Sequence, residues 1–293
     1  MSVAEEHKSG KTSKGENFPV ASVLIARRHR APILAYYRFA RAADDVADHP
    51  TLSPGQKFEL LDRLQATLLG HCDADPAAVP LRREITARGL PPTHALDLLA
   101  AFRLDVSKKR YADWGELLHY CRYSAMPVGR FVLDVHGESR ATWSASDALC
   151  TALQIINHLQ DCGRDYEALD RVYVPRDAMA ASGVGVEALA AARASPELRA
   201  CLYSLAARTA ALLPEAAKLS GLVRSPRLAM ETAIIVALAR KLIARLLQRD
   251  PLSERAHLTR SEMLAVAGRG IAALLMARWL RSALRSPAQG AAG

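Results

Sequence analysis

The sequence predicts an all-α fold, built as one helical domain. Half of the 293 residues are apolar, and this apolar content comes mainly from Ala and Leu rather than from Val, Ile, Phe and Tyr. Ala and Leu favour helix over sheet. Apolar side chains recur with helical periodicity along most of the chain, and the connections between periodic segments are short. No repeated valine and isoleucine strand and no break in composition indicates a second domain.

Start and stop signals divide the chain into successive helices. Pro19 opens a helix at Val20–Arg30, and Pro32 begins a second helix that covers Ile33–Asp48 and stops at His49 and Pro50. The remaining helices are predicted at Pro54–Gly70, Ala77–Arg88, Thr93–Lys108, Trp114–Gly137, Ser146–Leu169, Val186–Ala194, Pro196–Leu219, Arg227–Leu247 and Ser261–Arg285.

Two local features complete this prediction. Within Trp114–Gly137, Pro127 should kink the helix and Gly129 permits a close approach of its neighbour. Residues 1–16 and 286–293 are predicted to be disordered tails, which leaves residues 17–285 as the folded domain.

Charge and cysteine content limit the function classes. The formal net charge is +9, which suits nucleic acid, an anionic membrane surface or a phosphorylated substrate. The basic residues are dispersed and form no recognisable nucleic-acid platform, so nucleic-acid binding is not expected. An odd number of cysteines, five, without a Cys-x-x-Cys pair argues against a disulfide framework or a structural zinc site and fits a cytoplasmic, reducing compartment.

Neither a secretory signal nor a membrane-spanning helix is predicted. The polar N-terminus is not a secretory signal. No run of ~18 uncharged apolar residues predicts a membrane-spanning helix. The nearest approach, Ala265–Leu284, is interrupted by arginines and is interpreted first as a core helix with a basic face. A helix on a membrane surface is the second interpretation. A non-catalytic membrane-surface scaffold that uses Ala265–Arg285 is a separate alternative for the function.

The first of two acidic motifs lies in the segment YYRFARAADDVAD. Asp44 and Asp48 are four residues apart, so their carboxylates project from one face of a helix. Arg41 and Tyr37 fall on the same stripe. Two aspartates at this spacing repel each other, and Asp is a poor residue for a helix interior. A divalent cation that bridges both carboxylates is the simplest compensation, because hard cations bind carboxylate oxygens.

The second acidic motif, LQIINHLQDCGRD, repeats this spacing with Asp161 and Asp165. Gln154 and Asn157 share their face of the helix, whereas Leu and Ile side chains occupy the other faces. A lone Asp pair on a helix is most often solvated surface. Two such pairs on apolar-flanked helices indicate a polar cavity, in which facing carboxylates hold several Mg²⁺ ions and the ions hold a diphosphate.

Four blocks of the sequence together resemble the squalene/phytoene synthase family. The blocks are Tyr37–Asp48, Tyr120–Gly129, Gln154–Asp165 and Arg171–Pro175. They occur in the family's order and spacing across most of the chain. The segments ENFPVAS and SAMPVGR resemble one branch in particular, the hydroxysqualene synthases of bacterial hopanoid pathways.

The resemblance implies a class I isoprenoid synthase fold with a central cavity. Members of this branch ionise presqualene diphosphate and quench the cation with water, so the implied cofactor is Mg²⁺, bound as several ions with the substrate diphosphate, and no NADPH is expected. A condensing member that joins two prenyl diphosphates head to head is the alternative. The resemblance leaves open whether the product passes to the inner face of the membrane or to a neighbouring pathway enzyme.

The resemblance also assigns roles to single positions. It places metal ligands at Asp44, Asp48, Asn157, Asp161 and Asp165. It places substrate contacts at Arg41, Arg171, Arg30, Gln154 and Tyr173, and catalytic tyrosines that line the cavity at Tyr37 and Tyr123.

Several positions depart from the family pattern or stand outside it. Gln160 replaces a common Arg, and Arg164 replaces a common acid, so the charge of the second motif is shifted. Met126 replaces a small or amide residue. His158 shows no metal-type spacing to other histidines and is expected in the surface or the core.

Overall fold

The computed structural model describes residues 25–254 and 256–285, and these residues confirm the all-α fold. The α-helices in this part of the chain are α1 (Arg27–Ala47), α2 (Pro54–Leu68), α3 (Ala78–Arg88), α4 (Thr93–Ser107), α5 (Trp114–Ser124), α6 (Met126–Val135), α7 (Trp143–Gln160), α8 (Cys162–Leu169), α9 (Arg176–Ala181), α10 (Pro196–Ala210), α11 (Leu213–Ala216), α12 (Leu219–Leu222), α13 (Pro226–Leu246) and α14 (Arg260–Arg285). Short 3₁₀ turns occupy Arg140–Thr142 and Val186–Ala190. The predicted tails, residues 1–16 and 286–293, lie outside the described residues.

The apolar side chains form adjoining clusters. The largest joins α5, α7, α10 and α13 with the buried segment 172–174. A second cluster joins α1, α2, α3, α4 and α6, and a third fills the space between α7, α11, α12 and α13. The first acidic motif lies on α1, in the second cluster, whereas the second motif spans the end of α7 and the start of α8, beside the largest cluster. The packing of these clusters therefore sets how the motifs face each other.

Helix α1 runs through Pro32, so the predicted break at this residue is wrong. A proline inside a helix leaves the carbonyl four residues earlier without its donor. Here that carbonyl, on Arg28, accepts a hydrogen bond of 3.2 Å from Nη2 of Arg88. Pro32 and Ile33 are both buried, so packing also offsets the lost bond. The start of the predicted helix, residues 20–24, lies outside the described residues.

The predicted kink at Pro127 is confirmed as a complete break. Ala125 leaves the helical region with φ −123° and ψ −50°, and Pro127 occupies the first turn of α6. Gly129 faces α7 so closely that a Cβ atom there would lie 2.6 Å from Sγ of Cys150. The short side chain therefore allows α6 and α7 to pack closely.

Three more helices predicted from periodicity are divided or shortened in the structure. Ser146–Leu169 is divided at Asp161, where φ is −108°. Pro196–Leu219 is divided because Pro214, in the first turn of α11, has no N–H to continue α10. Val186–Ala194 forms a 3₁₀ turn over part of its length. Apolar periodicity survives such breaks, so it does not show where they occur.

Helix α14 is not a core helix, and that first interpretation of Ala265–Leu284 is wrong. The stretch Arg260–Leu280 is long and apolar enough to cross a membrane by length and composition, and 17% of its most apolar window is buried. Val266, Gly270 and Leu274 form its buried face. On the opposite face Leu264 is 75% exposed and Trp279 64%. One face alone packs on the bundle.

Candidate active site

A cavity of about 310 Å³ brings both acidic motifs together. It lies among α1, α4, α5, α7 and α8. Its wall contains the predicted residues Asp44, Asp48, Gln154, Asn157, Asp161, Asp165, Arg171 and Tyr173. A larger groove of about 630 Å³ between α12, α13 and α14 has no carboxylate in its wall. The smaller cavity is therefore the candidate site.

The carboxylates of the first motif are paired with arginines. Arg41 lies one turn before Asp44 on α1, and its Nη1 is 3.0 Å from Oδ2 of Asp44 while its Nη2 is 3.1 Å from Oδ1 of Asp45. Asp48 accepts a 2.9 Å hydrogen bond from Nη1 of Arg171. These pairs hold the carboxylates in place and reduce their mutual repulsion.

The second motif shows what the departures from the family pattern do. Arg164 reaches back one turn, and its Nη2 lies 2.6 Å from Oδ2 of Asp161. His257 lies on the other side, with Nε2 3.9 Å from Oδ1 of Asp161. Gln160 points away from the cavity and donates to the carbonyl oxygen of Ala256 at 3.1 Å. Arg164 therefore changes the charge of the site directly, whereas Gln160 connects α7 to the segment before α14.

Arg171 is the buried centre of a polar network. Its Nη2 donates to the carbonyl oxygen of Asp105 at 3.1 Å, and its Nε lies 3.8 Å from Oδ1 of Asp105. The hydroxyls of Tyr120 and Tyr173 donate to the same carboxylate at 2.9 and 2.8 Å. Burial raises the pKa of Asp105 to about 6, although Arg171 and the two hydroxyls pull this pKa down. The carboxylate is thus ionised at neutral pH.

The backbone around Arg171 explains how it enters the site. Asp170 ends α8 in the left-handed region, at φ 50°, and turns the chain inwards. The following segment is held against residues 109–111, because Val172 N–H donates to the Lys109 carbonyl at 2.9 Å and Arg176 N–H donates to the Tyr111 carbonyl at 3.0 Å. Residues 171–175 are all buried. Lys109, beside Arg171, has its pKa lowered by burial and by that arginine.

His158 is buried, which confirms the expected core position, and it also lines the cavity, which the sequence did not predict. Its ring stacks on Tyr173, with centroids 3.5 Å apart and planes 17° apart. Its Nε2 lies 3.0 Å from Nε2 of Gln154. Burial, and then the nearby Arg171, lower the pKa of His158 to about 3. The imidazole is therefore neutral at neutral pH.

Four predicted residues do not line this cavity: Arg30, Tyr37, Arg41 and Tyr123. Arg30 donates from Nε to the carbonyl of Ile25 at 2.9 Å, so it braces the start of α1. Tyr37 is half-buried one turn before Arg41. Tyr123 packs partly buried against the largest cluster, and its ring meets the edge of His119 at 5.2 Å. The roles assigned to these residues remain predictions.

The donor set of the cavity suits Mg²⁺. Four carboxylates and the Asn157 amide are hard oxygen donors of the kind Mg²⁺ prefers. Within the described ranges, no group of three or more His, Cys, Asp or Glu side chains converges closely enough to hold a metal ion alone. Ions at this site would therefore need further oxygen ligands, which a diphosphate offers.

Comparison with known proteins decides the family. A squalene/phytoene synthase family model matches residues 11–262. The chain belongs to the squalene/phytoene synthase family. Its relatives in this family include the hydroxysqualene synthase of Rhodopseudomonas palustris, 57% identical over 258 residues that cover 88% of each chain, and that of Zymomonas mobilis, 48% identical over 261 residues that cover 88% of each chain.

Solved structures of squalene/phytoene synthase relatives share the fold. The squalene synthase HpnC from Alicyclobacillus acidocaldarius has a TM-score of 0.69 and 34% identity, and the match covers 83% of this chain and 90% of that one. A dehydrosqualene synthase, at 21% identity, has a TM-score of 0.79 over 90% of this chain and 93% of its own. These likenesses agree with the helical architecture described above.

Sequence reasoning assigned no site role to four polar residues of the cavity wall: Asp105, Tyr120, Ser124 and His158. Tyr120 and Ser124 lie four residues apart inside the block Tyr120–Gly129, so their shared helix face could have been noticed. Asp105 is an isolated acid among apolar residues of α4. That pattern alone does not distinguish a buried carboxylate from a helix-end acid.

Proposed function

We propose that the chain is a hydroxysqualene synthase, which ionises presqualene diphosphate and captures the cation with water to give hydroxysqualene and diphosphate. The observation that carries this proposal is the cavity in which two aspartate pairs, Asn157 and Arg171 share one wall. Identities of 48% and 57% to hydroxysqualene synthases over most of the chain support the choice of substrate.

The proposed chemistry divides among the residues of the wall. Asp44, Asp48, Asn157, Asp161 and Asp165 would hold Mg²⁺, which when bound supplies positive charge to a leaving diphosphate. Arg171 is fixed by its contacts with Asp48 and Asp105. A guanidinium that is already oriented stabilises charge that develops on the diphosphate without reorganising. No hydride donor takes part, because water is the nucleophile, and so no nicotinamide is proposed.

The apolar part of the wall protects the reactive cation. Ala101, Phe102 and Leu169 line the same cavity. Apolar side chains exclude bulk water, which would otherwise quench a carbocation at random positions. Tyr173 also lines this cavity, with its ring stacked on His158 and on Tyr111.

Product analysis with the purified full-length chain tests the proposal. Presqualene diphosphate with Mg²⁺ should give hydroxysqualene with or without NADPH. Farnesyl or geranylgeranyl diphosphate alone should give no triterpene or tetraterpene product. Formation of squalene or phytoene from these substrates, without hydroxysqualene from presqualene diphosphate, would instead establish the head-to-head condensing alternative.

Substitutions in the acidic motifs provide the matching test. Asp44→Asn and Asp161→Asn should each lower kcat by about 100-fold or more, with an unchanged circular dichroism spectrum. Asp62→Asn is the matched control, because Asp62 is an exposed aspartate on α2 that pairs with Arg103 away from the cavity. Equal activity in all three variants would contradict the assignment of these carboxylates.

We further propose that α14 rests on the anionic inner surface of the cytoplasmic membrane. Leu264, Leu275 and Trp279 are exposed on one stripe of this helix. At 100° per residue, Arg269 and Arg278 lie on either side of the stripe. Arginines that flank an apolar stripe match anionic headgroups around an acyl layer.

A neighbouring basic groove adds to this surface. Lys218, Arg240, Lys241 and Arg269 line the groove between α12, α13 and α14. Vesicle co-sedimentation tests the proposal: the chain should bind vesicles that contain phosphatidylglycerol and bind pure phosphatidylcholine vesicles far less. Leu275→Gln should weaken binding, whereas Tyr203→Gln, at an exposed residue of α10, should not. Binding that ignores lipid charge and both substitutions would overturn it.

A further inference from the structure

The residues of the active-site wall divide by side-chain chemistry into two parts. One part carries charge: the aspartates of both motifs and Arg171. The other part, on α5 and α7, is polar and neutral, and consists of Ser124, Gln154 and His158. The proposed reaction needs both a place for an anionic diphosphate and a place for one neutral nucleophile. The charged part suits the diphosphate.

Ser124 provides the observation that points to a ligand in the neutral part. Its Oγ is buried and has no hydrogen-bond partner within the described chain, yet the residue lines the cavity. A buried hydroxyl without a partner is destabilising, and natural proteins normally satisfy such groups with protein or water. Ser124 is the last residue of α5, directly before the break at Ala125, so the break places this hydroxyl at the cavity.

His158 and Gln154 form the second half of the neutral part. The stacking of His158 on Tyr173 fixes the plane of its ring. Its contact with Gln154 ties the amide and the imidazole together across one helical turn. Both side chains are therefore held in place, and neither depends on an ion pair.

We infer that Ser124 and His158 hold the water that attacks the carbocation and so determine that the product is an alcohol. This inference rests on the proposed function. The water oxygen donates an electron pair to the cationic carbon and forms the C–O bond, after the C–O bond to diphosphate has broken. The proton that the attacking water loses passes to the released diphosphate. Without a held water, the cation loses a proton from a neighbouring carbon and becomes a hydrocarbon.

The product ratio tests the inference separately from the total rate. In Ser124→Ala and in His158→Phe, presqualene diphosphate should still be consumed, but the ratio of hydroxysqualene to hydrocarbon should fall about fivefold or more, the effect of losing one hydrogen bond to the water. Phe keeps a ring to stack on Tyr173, so His158→Phe removes the nitrogens and little else. His158→Gln, which restores a polar group, should recover part of the alcohol.

Controls separate this role from a structural one. Ser204→Ala, on α10 and away from the cavity, should leave the product ratio unchanged. A purely structural role of Ser124 or His158 would lower turnover without changing the ratio, and that result would overturn the inference. If His158→Phe does not fold, Ser124→Ala decides alone, because its hydroxyl has no protein partner to lose. Failure of the wild-type chain to consume presqualene diphosphate would reject the proposed function itself.

Discussion

Replacement of Arg171 by Met should destabilise the folded chain strongly. The Arg171 guanidinium is the buried cation that faces both Asp48, at 2.9 Å, and Asp105, at 3.8 Å. Its side chain is 5% exposed, and those of the two aspartates are 10% and 6% exposed. Methionine fills a similar volume but removes the guanidinium that faces both buried carboxylates.

The magnitude follows from this burial. Breaking a buried ion pair by removing one partner costs about 3–5 kcal/mol, because the remaining charge stays in a medium of low polarity. The same loss should raise the pKa of Asp105 above its value of about 6, since Arg171 is the largest of the influences that lower it. Asp105→Asn removes the buried carboxylate charge that Arg171→Met leaves without the guanidinium. The double variant should therefore be less destabilised than the sum of the single variants, by about 1–3 kcal/mol.

Urea unfolding followed by circular dichroism measures this coupling as a double-mutant cycle at pH 7. Arg171→Met, Asp105→Asn and the double variant are compared with the wild type through their midpoints and slopes. Additive free energies of unfolding, within about 0.5 kcal/mol, would refute the reasoning, because they would show that the two side chains do not stabilise each other.

Three more substitutions follow from the same structure. The free energy of unfolding of His158→Phe should rise relative to that of the wild type by about 2–3 kcal/mol as the pH falls from 7 to 4.5. The reason is that His158 in the unfolded wild type binds a proton, whereas the folded imidazole, with a pKa of about 3, does not. Denaturant midpoints at both pH values measure this, and a difference in stability that does not change with pH would contradict it. Gly129→Ala should lower the free energy of unfolding by about 1–3 kcal/mol through overpacking against α7. Gly268→Ala, in open space on α14, should raise it by up to about 1 kcal/mol. Thermal melts that show equal shifts for the two variants would contradict the close approach of Gly129 to α7. Arg164→Ala should lower the Mg²⁺ concentration for half-maximal activity about two- to fivefold, because it removes the exposed arginine that pairs with Asp161. An unchanged or higher Mg²⁺ concentration for half-maximal activity would exclude competition between Arg164 and the metal.

Local sequence pattern was enough to predict structural features that depend only on residues close together in the chain. The spacing of Asp44 and Asp48 places that pair on one face at the end of α1. Asp161 lies at the break between α7 and α8, four residues before Asp165, and both pairs line one cavity. The break at Pro127 also follows from the chemistry of a single residue. Pro32 behaves differently, because its cost is offset by a distant donor, Arg88.

Helix periodicity did not indicate how α14 packs. Ala265–Leu284 has the composition of a core helix, but a helix is buried only where neighbouring helices cover it. The spacing of residues within one helix does not show how many neighbouring helices pack against it. In the structure α13 covers one face, and the face that carries Leu264 and Leu275 is exposed.

The sequence by itself determined the helical class, the family and the acidic residues for which metal binding is proposed, because these depend on residue type and on short-range spacing. Only the tertiary structure decided that Asp105 supports Arg171, that Arg164 faces Asp161, and that His158 belongs to the cavity wall. Such contacts join residues on different helices or across a break in one. They depend on how far each helix is rotated about its axis, and that rotation is set by packing of the whole bundle.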